Sequence, residues 1–224
     1  MSNFNNLLKP RIVNIEDVGP NTTKVTLEPL ERGFGHTLGS ALRRIMLSSI
    51  VGSSVTEVTI EGVQHEYSAI EGIQEDVIDI MLNLKEVAFK MNGNSSATLN
   101  LSKSETGLVT ASDIELKNDI EIVNPNHVIA NITTKGALLN MQIEVSEGIG
   151  YSSAGQRLHD SNRTIGSLLI DASYSPIKKV SYKVDSARVE QRTDLDKLII
   201  ELETDGTIDP ETCIREAATI LHDQ

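Results

Sequence analysis

LEPLERGFGHTLGSALRRIMLSSI, from Leu27 to Ile50, reads as a strand, a glycine-punctuated turn and an amphipathic helix carrying an arginine pair. Leu38, Ala41, Leu42, Ile45 and Ser49 recur at the i, i+3, i+4, i+7 spacing that gathers side chains on one helix face. They are expected to meet a core or another helix. Arg43 and Arg44 leave that stripe sideways, beside Leu47 and Ser48, and Gly39, Ser40 and Ala41 are small enough to admit a second backbone. The pattern predicts a helix, roughly Gly35–Ile50, that buries one face and keeps another for a partner.

Outward from that helix, strand signals dominate. Lys24–Leu27, Ser54–Ile60, Ala97–Leu101, His127–Ile132, Ala137–Val145, Lys178–Val184 and Lys197–Glu203 combine β-branched residues with period-2 alternation. Asn92-Gly93 and Asp205-Gly206 are turn dipeptides. A second helix is expected to begin at a capping box, Ser68 with Glu71. Ile73, Val77, Ile80, Met81 and Leu84 form its stripe, and Glu75, Asp76, Asp79 and Asn83 its polar face. A third starts at Asp209-Pro210-Glu211, with a cap, a proline at the first helical position and an acid near the positive end of the dipole. Ile214, Ala217, Ala218 and Leu221 make its stripe, widened by Cys213 and Ile220. It reaches Gln224 without a glycine or proline terminator, so the sequence reads as cut in mid-helix or continued in a longer form.

The middle, about residues 93–175, is more polar, with shorter strands. Gly148-Ile149-Gly150 and Ser152–Asn162 read as flexible loop, and Tyr174-Ser175-Pro176 as a hinge. The expected fold class is α+β: a discontinuous domain built from the chain ends, residues 1–51 and 177–224, around a β-rich insert, residues 52–176.

Composition narrows the function. At 224 residues the chain is long enough to bury a real core. A net charge of -12 and a pI of about 4.8 argue against direct binding to a phosphate backbone. Arg43, Arg44, Lys178 and Lys179 are the residues from which a local basic patch would be made. Aromatics are 3% with no Trp, so base-stacking platforms are scarce. Cys213 is the single cysteine, which rules out a disulfide framework and fits a reducing compartment. The N-terminus MSNFNNLLKPR lacks a signal-peptide pattern, and no apolar run approaches the roughly 18–20 residues of a membrane helix. A soluble cytoplasmic protein without membrane partners is expected.

Chemistry-bearing motifs fail on inspection. Gly33-Phe34-Gly35 mimics a dinucleotide fingerprint, but the third glycine, Gly39, comes four residues after Gly35, and no βαβ context follows; glycines shaping a tight turn are the better account. His65-Glu66 opens an HExxH-like run, but Ala69 stands where the second histidine belongs. Cys213 lies on an apolar helix face, as a small core residue does. No catalytic, cofactor-binding or metal-binding residue is assigned.

LEPLERGFGHTLGSALRRIMLSS closely resembles the α subunits of bacterial DNA-directed RNA polymerase. The likeness continues through HEYSAIEGIQEDVIDIMLNLK (His65–Lys85), SYSPIKKVSYKV (Ser173–Val184), ARVEQRTDLDKLIIELETDGTIDPE (Ala187–Glu211) and REAATIL (Arg215–Leu221), collinear over essentially the whole chain. The resemblance implies an amino-terminal assembly module: the end segments dimerise, and the β-rich insert lies between them. It implies that Leu38, Leu42, Ile45, Ile214, Ala218 and Leu221 form the apolar centre of an α dimer. It makes Arg44 and Leu47 contacts to the β subunit, and Lys85 and Ile170 contacts to β′. The module is then a non-catalytic subunit of a nucleotidyltransferase that takes part in transcription, with Mg²⁺ and nucleotide held by the large subunits and no cofactor on this chain.

For Arg44 the alternative is an intramolecular bond to the acids of the second helix. For Lys85 and Ile170 it is ordinary surface and core, and for Arg192–Lys197 (RTDLDK) a self-satisfied turn. Two departures stand out. EGIGY replaces the basic residues common near Gly148 and Gly150, and the DNA-binding C-terminal domain usual in the family has no counterpart, so no direct DNA contact is expected. The second α copy is either identical or a diverged paralogue. Two rival readings stay open: a self-standing enzyme using the acids of the second helix, and a regulatory module whose acidic surface mimics nucleic acid.

Overall fold

The computed structural model describes residues 10–93, 95–117, 119–157, 166–189 and 192–224. In chain order the elements are β1 (Arg11–Gly19), β2 (Thr22–Leu30), α1 (Phe34–Ser49), β3 (Val51–Ile60), α2 (Val77–Lys85), β4 (Phe89–Met91) and β5 (Ser96–Lys103). There follow β6 (Gly107–Thr110), a 3₁₀ turn at Ala111–Asp113, β7 (Ile114–Glu115), β8 (Ile120–Ile122), β9 (Val128–Ile132), β10 (Leu139–Ile149), β11 (Tyr151–Ser152) and α3 (Ala154–Arg157). The chain closes with β12 (Leu168–Leu169), β13 (Ala172–Ser173), β14 (Ile177–Val189), β15 (Arg192–Thr204) and α4 (Pro210–Asp223). The fold is α+β and mostly sheet. It divides into two compact units, Met1–Ile50 with Pro176–Gln224, and Val51–Ser175.

In the first unit a four-stranded antiparallel sheet, ordered β1-β2-β15-β14, is packed by α1 and α4. Its core joins Val25, Leu198, Ile200 and Leu202 of the sheet to Leu42 and Met46 of α1 and to Cys213, Ile214 and Ala217 of α4. The cap of α4 is the expected one: Asp209 Oδ2 accepts the Thr212 N–H at 3.0 Å, and Pro210 opens the helix. The cap of α1 comes from far away in sequence. Gly33 adopts φ 86 and offers no side chain, and Asp196 Oδ2 on β15 accepts the N–H groups of Gly33 at 2.8 Å and Gly35 at 3.0 Å. A carboxylate at a helix N-terminus satisfies otherwise unpaired donors and the positive end of the dipole together.

The buried face of α1 differs from the one its apolar periodicity predicts. Gly35, Gly39, Leu42 and Met46 are buried, while Leu38, Ala41, Ile45 and Ser49 are only half-buried. The reason is steric. A Cβ on Gly39 would lie 2.6 Å from Tyr182 Cδ2 and 2.9 Å from Leu198 Cδ1, and one on Gly35 would lie 2.7 Å from Val184 Cγ1. Only Gly33 serves the turn; the other two let the helix backbone lie directly on β14 and β15.

The second unit centres on a five-stranded sheet, ordered β12-β3-β10-β5-β7, with two-stranded ribbons β11-β13, β4-β8 and β6-β9. Its core includes Val58, Ile80, Leu84, Phe89, Leu101, Ile129 and Ile143. Two expectations fail here. Ser68 and Glu71 do not start a helix: Gly72 stands at φ 84 and its carbonyl accepts the Thr133 N–H at 2.9 Å, while Ile73 bridges Ile132. Pairing with β9 wins over the local cap, and α2 begins after Asp76. Gly148 and Ile149 are not loop either. They extend β10 opposite Gly52 and Val51, and Gly148 is required because a Cβ there would meet the Tyr174 ring at 2.7 Å. Of the loop expected at Ser152–Asn162, α3 occupies Ala154–Arg157, and residues 158–162 lie outside the described residues.

Gly39→Ala is expected to cost about 1–3 kcal/mol through overpacking against Tyr182 and Leu198. Asp196→Ala should cost about 1–2 kcal/mol through the lost cap. Urea unfolding at pH 7 measures both, and a wild-type midpoint for Gly39→Ala would contradict the close approach. A pH dependence follows from Asp113. Burial alone would raise its pKa, but the Lys103 ammonium at 2.6 Å and the Thr110 N–H outweigh it and hold the carboxyl below its ordinary 3.8. A depressed folded pKa stabilises fully above the unfolded value and is lost as pH falls through the folded one. Asp113→Asn should therefore flatten the loss of stability below pH 3.8, read as the urea midpoint against pH.

Candidate functional site

Cys213 is buried in the core of the first unit. Burial pushes the Cys213 thiol up to about 12, with Glu216 adding to the shift, so no thiolate nucleophile forms near neutrality. Glu75 Oε2 accepts the Asn131 N–H at 2.7 Å, and Asp76 occupies the N-cap position of α2 without a side-chain cap bond. Asn83 donates to the Ile129 carbonyl at 2.9 Å, and its own carbonyl lies 3.0 Å from His127 Nε2. Glu75, just before α2, and Asn83 within it thus tie this helix to β9. His65 Nδ1 lies 3.1 Å from the Ser68 hydroxyl in a turn. RTDLDK is also largely engaged within the chain: Arg192 binds Glu31 through two nitrogens at 3.1 and 2.8 Å and also pairs with Asp194, while Asp196 caps α1.

Two grooves bring sequence-assigned residues together, one in each unit. The first, about 830 Å³, lies in the unit formed by the chain ends, between α1, α4 and the β1-β2 face. Five of the six residues assigned to a dimer centre line it: Leu38, Leu42, Ile214, Ala218 and Leu221. Ile45 is not among its lining and packs, half-buried, against the unit's core. Leu42 and Ile214 are 5% and 3% exposed, so they already belong to the core; Ala218 is exposed, and Leu38 and Leu221 are half-buried. Ile15 on β1, 42% exposed, lines the same groove and is a residue the sequence reading missed. The signal for β1 was present in the apolar residues of RIVNIEDV before the Gly19-Pro20 turn.

Along α1 the two arginines separate. Arg43 Nε donates to the Val180 carbonyl of β14 at 3.1 Å. Arg44 is exposed and makes no side-chain hydrogen bond or ion pair among the described residues, so the intramolecular alternative for it finds no support. Leu47 is 36% exposed one turn further along.

The second groove, about 250 Å³, lies in Val51–Ser175 and brings Lys85 and Ile170 together across 85 residues of sequence. Its apolar lining comes from Ile78, Met81 and Leu82 of α2 and from Leu169 and Ile170; Glu66, Lys85 and Asp171 supply charge. Lys85 is half-buried with no acid within 4.0 Å among the described residues, whereas Ile170 is only 4% exposed. Asp171 is held below the usual carboxylate range chiefly by the Ala154 N–H at 2.7 Å, then by the Tyr151 hydroxyl, with Lys85 and Arg157 adding charge. Carboxylates outnumber Lys and Arg by more than two to one across this unit, which makes Lys85 conspicuous and a phosphate-backbone partner for the unit unfavourable.

The model of a protein family described as the RNA polymerase Rpb3/RpoA insert domain matches residues 58–175, just over half of the chain.

Native protein is expected to leave Cys213 unlabelled by an aromatic disulfide reagent at pH 8 until urea unfolds it. Labelling at the rate of a free thiol would place Sγ at the surface and remove it from the core.

Proposed function

The chain belongs to the RNA polymerase Rpb3/RpoA family of α-type subunits, and from that premise we propose that it is the assembly module of a bacterial RNA polymerase α subunit. It dimerises through the unit formed by the chain ends and presents two separate surfaces to the large subunits. Arg44 and Leu47 meet β, and Lys85 and Ile170 meet β′. The chain supplies no catalytic residue, and Mg²⁺ and nucleotide belong to the large subunits.

The observation that carries this reading is the apolar groove of the first unit. An open apolar surface of this depth, rimmed by Arg11, Asn14, Glu211 and His222, is characteristic of a protein interface. A two-fold axis through it would bring α1 and α4 of one copy against α1 and α4 of the other, using every contact twice. Fully burying one exposed aliphatic side chain contributes about 1.5–3 kcal/mol. The gain on association comes mainly from Ala218, Leu221, Leu38 and Ile15, which the isolated unit leaves at least partly open, and less from Leu42 and Ile214.

Arg44 suits a different partner. Its guanidinium has no side-chain partner among the described residues and stands beside a half-exposed leucine on the flank of the helix. A planar five-donor group of this kind takes a carboxylate or paired carbonyls at a partly dry interface, which an ammonium cannot do with the same geometry.

Ala218→Glu places a charge in the groove without opening the core and should convert a dimer into a folded monomer; sedimentation velocity reads it, and an unchanged dimer mass would exclude the groove as the interface. Leu42→Glu is a poorer test, because Leu42 is already core. Arg44→Ala should keep the dimer yet weaken β capture about 10–100-fold, the range for a lost hydrogen bond to a charged group. Wild-type β yield in a co-purification would assign the arginine to something else.

A further inference from the structure

Ile170 sits in the groove wall of the second unit although the strand that carries it there is very short. β12 pairs with β3 over only Leu168↔Val58 and Leu169↔Glu57. The ladder gains one more bond, from the Ile170 N–H to the Thr56 carbonyl at 2.9 Å. A two-residue edge strand is weakly held by pairing alone, and its register is poorly specified.

A second set of contacts supplies what the ladder lacks. Arg157, at the end of α3, donates through Nη1 to the Thr56 carbonyl at 3.1 Å and through Nη2 to the Ile170 carbonyl. At the other end of the same short turn, the Ala154 N–H donates to Asp171 Oδ1 at 2.7 Å. The segment Ile170–Asp171 is therefore pinned twice by α3, once through a guanidinium bridging two strands and once through a side-chain carboxylate. Across the groove stands Lys85 on α2, whose own position is fixed by the buried Ile80 and Leu84.

We propose that Arg157 and Asp171 are positioning residues of the insert groove: they fix Ile170 opposite Lys85 at the separation a large polymerase subunit docks on. The inference rests on the assembly reading above and adds to it two residues that need not touch the partner. Arginine suits position 157 because its two Nη groups, held in a planar fork, each meet one of the Thr56 and Ile170 carbonyls. A lysine keeps the charge and loses one of the two bonds. At Asp171 the requirement is an acceptor for the Ala154 N–H; a negative charge is not essential to that bond.

The test titrates tagged β′ onto the preformed complex of the full chain with β. Arg157→Lys should weaken β′ capture about tenfold, with β capture, dimer mass and melting temperature unchanged. Asp171→Ala should weaken β′ capture too, and Asp171→Asn, which keeps the acceptor, should recover most of the loss. Amide hydrogen exchange at Ile170 and Asp171 should quicken in Arg157→Lys and Asp171→Ala and not in Asp171→Asn. Faster exchange with wild-type β′ capture would overturn the proposal, as would parallel loss of β capture and melting temperature, which would make these residues merely structural. Lys85→Glu, run alongside, separates the two ideas. If it too leaves β′ capture intact, the groove drops out of the assembly reading; if it abolishes capture while Arg157→Lys does not, only the positioning role falls.

Discussion

Everything in the first unit depends on how closely α1 lies on β14 and β15. Gly35 and Gly39 are one turn apart on the same face, and at both a single added carbon would collide with Val184, Tyr182 or Leu198. The helix is thereby rolled onto its glycine face, with Leu42 and Met46 continuing the contact. Asp196 then fixes where the helix begins, by accepting the N–H groups of Gly33 and Gly35. Once roll and start are set, the other faces follow from the 3.6-residue period: Leu38 and Ile45 turn half out, and Arg44 points away from the sheet. A helix packed on bulkier residues would stand off, and its apolar stripe would be consumed by its own core.

This roll also explains which parts of the structure were readable from the sequence. Strands β2, β3, β5, β9, β10, β14 and β15 were visible because alternation of β-branched residues is a local signal, whereas the nine-residue β1 was missed. Helix α4 was visible because a cap, a proline and an acid stand in consecutive positions. The burial of α1 was misjudged because glycine carries no hydrophobic signal, while its contacts are set by side chains more than 140 residues away. The Ser68–Glu71 box failed for a related reason. Local capping competes with strand pairing, and Gly72 at positive φ tips the balance toward β9. The grooves show the same division. The side of the first that α1 and α4 supply was readable from helical periodicity; the side formed by β1, Ile15 included, was not. The pairing of Lys85 with Ile170 had no support in periodicity or spacing; it came from resemblance. The staple formed by Arg157 and Asp171 depends on tertiary contacts that no spacing rule encodes.

Charged side chains sort the surface further. Arg43, Arg192, Asp196, Glu75 and Asp113 each hold a named backbone or side-chain partner within the chain, and removing one would leave a donor or acceptor without its mate. Among the described residues Arg44 makes no side-chain hydrogen bond or ion pair, and Lys85 forms no ion pair within 4.0 Å though its charge acts on Asp171; each stands beside apolar side chains on a helix. A charge beside exposed or grooved apolar surface, without a close ion pair, adds little to the stability of the fold. The combination of free charge and open apolar area is what an interface uses: the apolar part supplies affinity, and the charge sets partner and register.

Core and groove are not separate in the first unit, and that couples folding to association. Leu42 and Ile214 belong to the buried cluster and also form the floor of the groove. In a two-fold dimer the same side chains would touch the second copy, so any loosening of α4 against α1 would weaken both core and interface. Binding that favours only the folded state stabilises it by mass action, more strongly as the concentration exceeds the dissociation constant. The unit formed by the chain ends would then gain stability on pairing with a second copy. The second unit is built differently. Its 24-residue buried cluster lies largely apart from the rim of its groove, Ile170 being the shared member. There the groove wall meets the core at Ile170 alone, so the hydrogen bonds of Arg157 and Asp171 that hold the segment Ile170–Asp171 set the groove's shape at the point where it joins the core.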